Sequence, residues 1–289
     1  MNAATSCYLC EGSKFRQRPG QVRDNPDLKI LECQNCRLVF LSGHEHIADT
    51  HYADSGMHGA NLPTLAEWLK DTDADDERRF RFLKAKLTNK RLLDFGCGVG
   101  GFLIKAKSVV RRAEGVEPES RLREHFKNHG IGVANSLSEA AEKKSRYDII
   151  TAFHVIEHLK DPAQVLGEIA GLLESYGEII IEVPSADDAL LTLYDSEPFS
   201  RFTYWSQHLF LFNNETFRAL VQKSGLKLNW SKQIQRYPLS NHLHWLAKGT
   251  PGGHKTWAHL DSPELQGAYE AALSASGLCD TLMASISRE

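Results

Sequence analysis

The chain has 289 residues, 42% of them apolar and 25% charged, with a formal net charge of −3. That length accommodates one large α/β domain with small appendages. No apolar run approaches the roughly 20 residues a bilayer requires. The opening Met-Asn-Ala-Ala-Thr-Ser lacks the basic and apolar regions of a secretory signal. Together these predict a cytoplasmic protein with no membrane partner. The acidic total makes nucleic acid an unlikely main partner, since such proteins usually carry a basic field.

Taken in chain order, the first unit (residues 1–42) contains Cys7-Tyr-Leu-Cys10 and Cys33-Gln-Asn-Cys36, 22 residues apart. Two Cys-x-x-Cys pairs at this spacing match a four-thiolate tetrahedral zinc site. A unit of this size has too small a core to fold alone, so the metal would supply much of its stability. With four protein ligands and no open position, the zinc is structural. Lys14, Arg16, Arg18 and Arg23 form a basic patch between the pairs.

Residues 43–88 read as a linker followed by helical segments. Gly43 to Asn61 is rich in His, Gly and Asp; its histidines (44, 46, 51 and 58) are too irregularly spaced for a metal site. Leu62 to Leu87 is periodic, with Asp75 or Asp76 expected to cap a second helix near Glu77. The basic run Arg78, Arg79, Arg81, Lys84 and Lys86 reads as a solvated helix face.

A core is expected over 89–248. Strand signals at Arg91–Phe95, Ala113–Glu117, Ile131–Ala134, Tyr147–Phe153 and Gly177–Val183 alternate with helical stretches at 101–110, 120–128 and from Pro162. This rhythm implies a parallel sheet covered on both faces. Beyond Pro184 a helix is expected over Asn214–Lys223, and strands over Leu226–Gln235 and Asn241–Ala247. The last part (249–289) reads as a loop, a helix from Ser262 to near Ser274, and a further segment around Cys279 to Ile286.

The chemistry concentrates in Leu92-Leu-Asp-Phe-Gly-Cys-Gly-Val-Gly-Gly-Phe-Leu103. Its glycines let the backbone turn sharply from strand to helix and approach a ligand closely. Alone, the pattern also fits a dinucleotide loop. Asp94 stands at the strand end, where a carboxylate can face an ammonium group. Glu117, closing the next strand, can accept from both ribose hydroxyls. Tyr147-Asp-Ile-Ile-Thr-Ala-Phe-His-Val-Ile-Glu-His158 leads a strand into a His/Glu-rich loop.

With these motifs in order, the sequence resembles the class I S-adenosylmethionine-dependent methyltransferases over about 90–185. The resemblance implies an α/β Rossmann-like fold with a mostly parallel seven-stranded sheet, here preceded by the small zinc-binding unit. It implies that Asp94, Gly96, Cys97 and Gly98 line the methionine part of S-adenosylmethionine and that Glu117 holds its ribose. Ser136 and Leu137 would flank adenine, and Phe153 and His154 would close the pocket. Leu31 to Phe40, His51-Tyr52 and Trp205 to Phe212 resemble segments of enzymes that methylate nucleotide-linked sugars. The chain is shorter at its C-terminus than the sugar C-methyltransferases, which favours an oxygen acceptor.

The expected activity is therefore O-methylation of a small molecule, a sugar or nucleotide-linked sugar foremost. A hydroxyl must lose its proton near the transition state, a task suited to histidine. His208 is the first candidate and His158, beside Glu157, the second, ahead of His154, His242 and His244. Tyr52 and Tyr204 are candidates for substrate binding. The rival readings are a zinc-finger RNA base methyltransferase and a cofactor-binding scaffold without turnover.

Overall fold

The computed structural model describes residues 6–48, 50–58 and 62–289. Most of the stretch read for a secretory signal, and parts of the 43–61 linker, lie outside these residues. Three short strands open the chain, β1 (Phe15–Gln17), β2 (Ile30–Cys33) and β3 (Val39–Leu41), followed by the long helix α1 (Leu65–Leu87). An alternation then runs β4 (Arg91–Phe95), α2 (Gly101–Ala106), β5 (Arg112–Val116), α3 (Arg123–Asn128), β6 (Gly132–Ala134), α4 (Leu137–Glu142), β7 (Tyr147–Phe153), α5 (Pro162–Ala170) and β8 (Leu173–Pro184). The remainder carries α6 (Ala189–Thr192), α7 (Glu197–Thr203), β9 (Phe210–Leu211), α8 (Asn214–Lys223), β10 (Leu226–Ile234), α9 (Leu239–Lys248), α10 (Gly253–Thr256), α11 (Pro263–Ser276) and β11 (Thr281–Arg288).

Seven strands form the main sheet in the order β10-β11-β8-β7-β4-β5-β6. The five from β8 to β6 are parallel, and β11 lies antiparallel between β8 and β10. This is the Rossmann-like sheet expected from the alternation of motifs. Leu92, Leu93, Ile149, Ile150, Ile179, Ile180 and Ile181 are buried, as strands covered on both faces require. The chain order reverses on either side of β4, so a crevice opens at its carboxyl end, where such sheets bind ligands.

The N-terminal strands form a second sheet, β1-β2-β3-β9, whose last strand comes from the far side of the core sequence. Val39 pairs with Leu211 and Phe40 with Phe210. Asp24 accepts from the Ser206 backbone N–H and hydroxyl, and Tyr8 donates to Asp161. The cysteine-bearing unit is thus built into the wall of the larger body.

Three expectations need correction. Asp75 and Asp76 do not begin a second helix: α1 is continuous, capped at Thr64 by a reciprocal pair with Glu67. Arg78 and Arg79 do not sit on a solvated face but reach the buried Glu182 at 2.9 and 2.6 Å; Arg81, of the same run, is solvated. Residues 241–247 are not a strand but belong to α9. The stretch Asn241-His-Leu-His-Trp245 reads as period two, whereas Pro238 before the helix and Gly249 at φ +66 after it delimit a helix. Strand β11 lies between β8 and β10 in the main sheet, with Leu282, Met283, Ala284 and Ile286 buried.

Candidate active site

The β4–α2 turn holds Gly96 at φ +70 and Gly98 at φ +50, a left-handed backbone that favours glycine. A Cβ on Gly96 would stand 2.5 Å from Val155 Cγ2. The Gly98 N–H donates to Glu117 Oε2 at 2.8 Å, and the Glu119 N–H to Glu117 Oε1 at 3.0 Å. Glu117 therefore ties the glycine loop to the end of β5. Burial raises its pKa, with these two backbone donors opposing.

A cavity at this crevice is lined by Gly96, Gly98, Glu117, Ser136, Leu137 and His154, together with Tyr52, Met57, Trp68, Asn135, Val155 and His158. Six residues expected around a cofactor are thus brought together. Asp94, Cys97 and Phe153 do not line it. Asp94 is buried behind the loop, accepting from Thr151 Oγ1 at 2.6 Å, and burial pushes its carboxyl up to about 7. Cys97 packs into the apolar core. Phe153 meets Phe102 edge-on and lies under the Arg79 guanidinium.

Residues ahead of the core complete the cavity and were not anticipated there. Trp68, on the first turns of α1, has His58 edge-on at 4.5 Å and Arg121 over its ring. The 51–58 segment brings Tyr52 and Met57 to the same cavity. Tyr52 was expected near substrate, but nothing in the spacing marks Trp68, since helical periodicity does not say which face meets a ligand. Tyr204 is fully buried and lines a separate groove beside the N-terminal sheet.

A second cavity adjoins the first. Its lining includes Arg23, His154, Phe199, Phe202, His208, Arg236, Tyr237, His242, Trp245 and Asp280. His154 lines both cavities. It follows β7 directly, at φ +54, with Nδ1 3.3 Å from Glu157 Oε1 and Nε2 3.2 Å from both Glu182 Oε1 and Arg236 Nη1. Burial and Arg236 oppose its protonation, but Glu157 and Glu182 outweigh them and raise its pKa. Burial likewise disfavours the Glu182 carboxylate, yet Arg79, His154 and Arg78 hold it well below the usual range. Arg236 is anchored on Asp75. Asp75, Arg78 and Arg79 of α1 thus hold the two residues, Arg236 and Glu182, that meet His154 Nε2.

His158 and His208 are neighbours, their ring centroids 4.9 Å apart, with Trp205 edge-on to both. Burial, and then the nearby His158, push the His208 imidazole down to about 3, leaving it neutral near pH 7. His242 and His244 serve the wall itself. His242 Nδ1 lies 2.6 Å from Tyr269 Oη, and His244 Nδ1 lies 2.9 Å from the Thr250 carbonyl oxygen.

The four cysteines converge as their spacing predicts. Cys7 and Cys36 sulfurs are 3.5 Å apart, as are those of Cys10 and Cys33, and all four lie within 4.8 Å of one another. A tetrahedral zinc with ~2.3 Å bonds places sulfurs about 3.8 Å apart. The two knuckles repeat one geometry: Glu11 N–H bonds Cys7 carbonyl and Arg37 N–H bonds Cys33 carbonyl, with Glu11 and Arg37 both at positive φ. The donor set therefore fits zinc.

A parallel sheet with a glycine loop at its switch point and an acidic residue closing the next strand defines a Rossmann-like nucleotide-cofactor fold. Residues 66–230, more than half of the chain, match the family described as methyltransferase domain, and the chain belongs to that family. Among curated proteins, it is 32% identical over 162 residues to the ubiquinone biosynthesis O-methyltransferase of Aeromonas salmonicida, covering 51% of this chain and 62% of that one. The Bordetella pertussis protein of the same name is 30% identical over 130 residues, covering 42% and 48%. The chain thus spans about half to three-fifths of the length of these relatives.

Among solved structures, the magnesium protoporphyrin IX methyltransferase of Synechocystis, with bound S-adenosylhomocysteine, superposes with a TM-score of 0.50 at 11% identity, covering 83% of this chain and 97% of that one. A chain of the complex between the Haloferax volcanii Trm112 methyltransferase activator and its methyltransferase gives 0.50 at 12% identity, covering 78% and 98%. These likenesses support the fold. Among the described residues no helix is long and apolar enough to cross a membrane.

Proposed function

We propose that the protein is an S-adenosylmethionine-dependent methyltransferase that acts on a hydroxyl oxygen of a small molecule. The observation that carries this reading is the pair of adjoining cavities with His154 in the lining of both. Family membership and the O-methyltransferase names of the curated relatives support it.

In this reading Gly96 and Gly98 admit the cofactor to the loop, Glu117 takes the ribose, and Ser136 and Leu137 flank adenine. Asp94 orients the loop from behind, while Cys97 and Phe153 act through packing. S-adenosylmethionine would supply an activated methyl group on a sulfonium sulfur, leaving the protein to align the acceptor and deal with its proton. We assign that proton to the His158–His208 pair, His208 first because it lines the acceptor cavity. The cysteine cluster would hold one structural zinc.

A sugar or nucleotide-linked sugar remains the acceptor suggested by the sequence resemblance. The names of the curated relatives do not point that way, and Phe199, Phe202, Tyr237 and Trp245 around the cavity equally favour a hydroxylated aromatic ring. Incubation with isotope-labelled methyl donor and a panel of nucleotide sugars, free sugars and hydroxylated aromatics decides between them by product mass. Incorporation into one class, abolished by His208→Gln with cofactor binding retained, is the expected result. Methylation of RNA in place of every small molecule would overturn the reading.

A further inference from the structure

The charges around the second cavity are matched within the fold, with one exception. Arg236 is anchored on Asp75, and Asp280 accepts from the Arg236 and Tyr237 backbone N–H groups. Asp188 caps α6 through the Leu190 N–H at 2.7 Å, and burial pushes its carboxyl up to about 8, so it stands mostly protonated near pH 7. His154 lies between Glu157 and Glu182. Burial pushes His208, His242 and His254 down, which keeps them neutral at the same pH.

Arg23 is the exception. It is exposed where it lines the cavity, with its guanidinium 4.9 Å from the Trp205 ring centroid and 5.4 Å from that of Phe202. Its side chain donates to the Phe202 carbonyl oxygen at 3.4 Å. The adjacent Asp24 is diverted, because the Ser206 backbone N–H and hydroxyl occupy its two carboxylate oxygens at 2.9 and 2.7 Å. No carboxylate pairs with Arg23 among the described residues. Partial burial disfavours its charge, with Asp24 opposing, yet an arginine stays protonated. Contact with two aromatic rings fixes the guanidinium and strips part of its water, so an incoming anion meets a cation already oriented.

We propose that Arg23 selects an acceptor carrying an anionic group, a carboxylate or a phosphate, and seats that group at the cavity wall with the hydroxyl directed toward His208. The guanidinium fork matches either anion with two parallel hydrogen bonds. Trp205 joins the two ends of the site, since the ring beneath Arg23 also lies edge-on to His208 at 5.5 Å. Arg23 stands between the two cysteine pairs, so the zinc-binding unit supplies the selecting residue. The hydroxyl end rests on the O-methyltransferase reading above; the anion site rests on the charges of the cavity.

The test uses the full zinc-loaded chain in the presence of S-adenosylhomocysteine and three probes built on one ring: benzoate, phenyl phosphate and neutral phenol. Dissociation constants are read by ligand-detected NMR. At least one anion should bind at least about tenfold more tightly than phenol. Preference for benzoate assigns a carboxylate-bearing acceptor, and preference for phenyl phosphate a phosphorylated one. Arg23→Gln should remove the preference, and Arg23→Lys should restore part of it, because lysine keeps the charge and loses the fork. Arg201→Gln, at an exposed arginine of α7 paired with Glu197, should leave it unchanged. Circular dichroism and zinc content establish that each variant is folded. Anions bound no more tightly than phenol, or a preference that survives in Arg23→Gln, would overturn the inference. Anion preference without S-adenosylhomocysteine binding would leave the site standing while the proposed function fell, and the reverse would do the opposite.

Discussion

The cofactor-facing and acceptor-facing halves of the molecule are built on different principles. On the cofactor side, short turns at strand ends place Gly96, Gly98 and Glu117 by backbone geometry, and Tyr52, Met57 and Trp68 close over them. On the acceptor side, α7, α9, the β8–β9 region and the N-terminal unit are joined by long-range contacts such as Asp24 with Ser206 and Arg236 with Asp75. A fold can keep the first arrangement constant and vary the second, because only the second depends on which distant segments are packed together.

The largest expected effect concerns the N-terminal unit. Cys7→Ser with Cys36→Ser should abolish zinc binding and cost several kcal/mol of stability, seen as a lower Tm and loss of zinc by elemental analysis, since such ions supply roughly 10 kcal/mol or more to small units. If the halves differ as described, cofactor affinity should fall far less than stability.

Glu117→Gln should weaken S-adenosylmethionine binding about 10- to 100-fold by titration, because hydrogen bonds to charged groups contribute ~1.5–3 kcal/mol. Gly96→Ala places a side chain in a left-handed conformation costing ~1–2 kcal/mol, before its overlap with Val155. Its cofactor affinity should fall at least about tenfold with secondary structure retained.

A pH dependence sharpens the acceptor side. Burial pushes His242 down to about 4, below its ordinary value near 6.5. The unfolded chain then binds the proton more readily, so stability is fully present above about pH 6.5 and is lost as pH falls toward 4. The loss should reach on the order of 2 kcal/mol at pH 5, read from denaturant midpoints, and His242→Gln should remove that part of the slope. The smallest effect is expected at Leu246, exposed on α9: Leu246→Ser should change stability by less than about 0.5 kcal/mol.

The same division governs what the sequence discloses. The glycine loop, Glu117 and the two cysteine pairs are local patterns whose chemistry follows from spacing, and the structure brings them together accordingly. Strand β7 and helix α8 occupy the residues their periodicity indicates. The acceptor wall was hidden because its signals are nonlocal. Asp75 and Arg78 resemble surface charges until Arg236 and Glu182 arrive from elsewhere. Helix α9 buries Ser240, Asn241, His242 and His244 while exposing Leu243 and Leu246, so its apolar pattern misleads. Trp68 reaches the cofactor cavity only through the packing of α1 on α2.

The central claim is that the β4–α2 loop and Glu117 form an S-adenosylmethionine site. Calorimetric titration of the full chain with S-adenosylmethionine, S-adenosylhomocysteine and NAD tests it most directly. The account predicts one site per chain for each sulfur compound, with micromolar affinity on the order of −8 kcal/mol, and no binding of NAD. Absence of binding by both sulfur compounds from folded, zinc-loaded protein would contradict it.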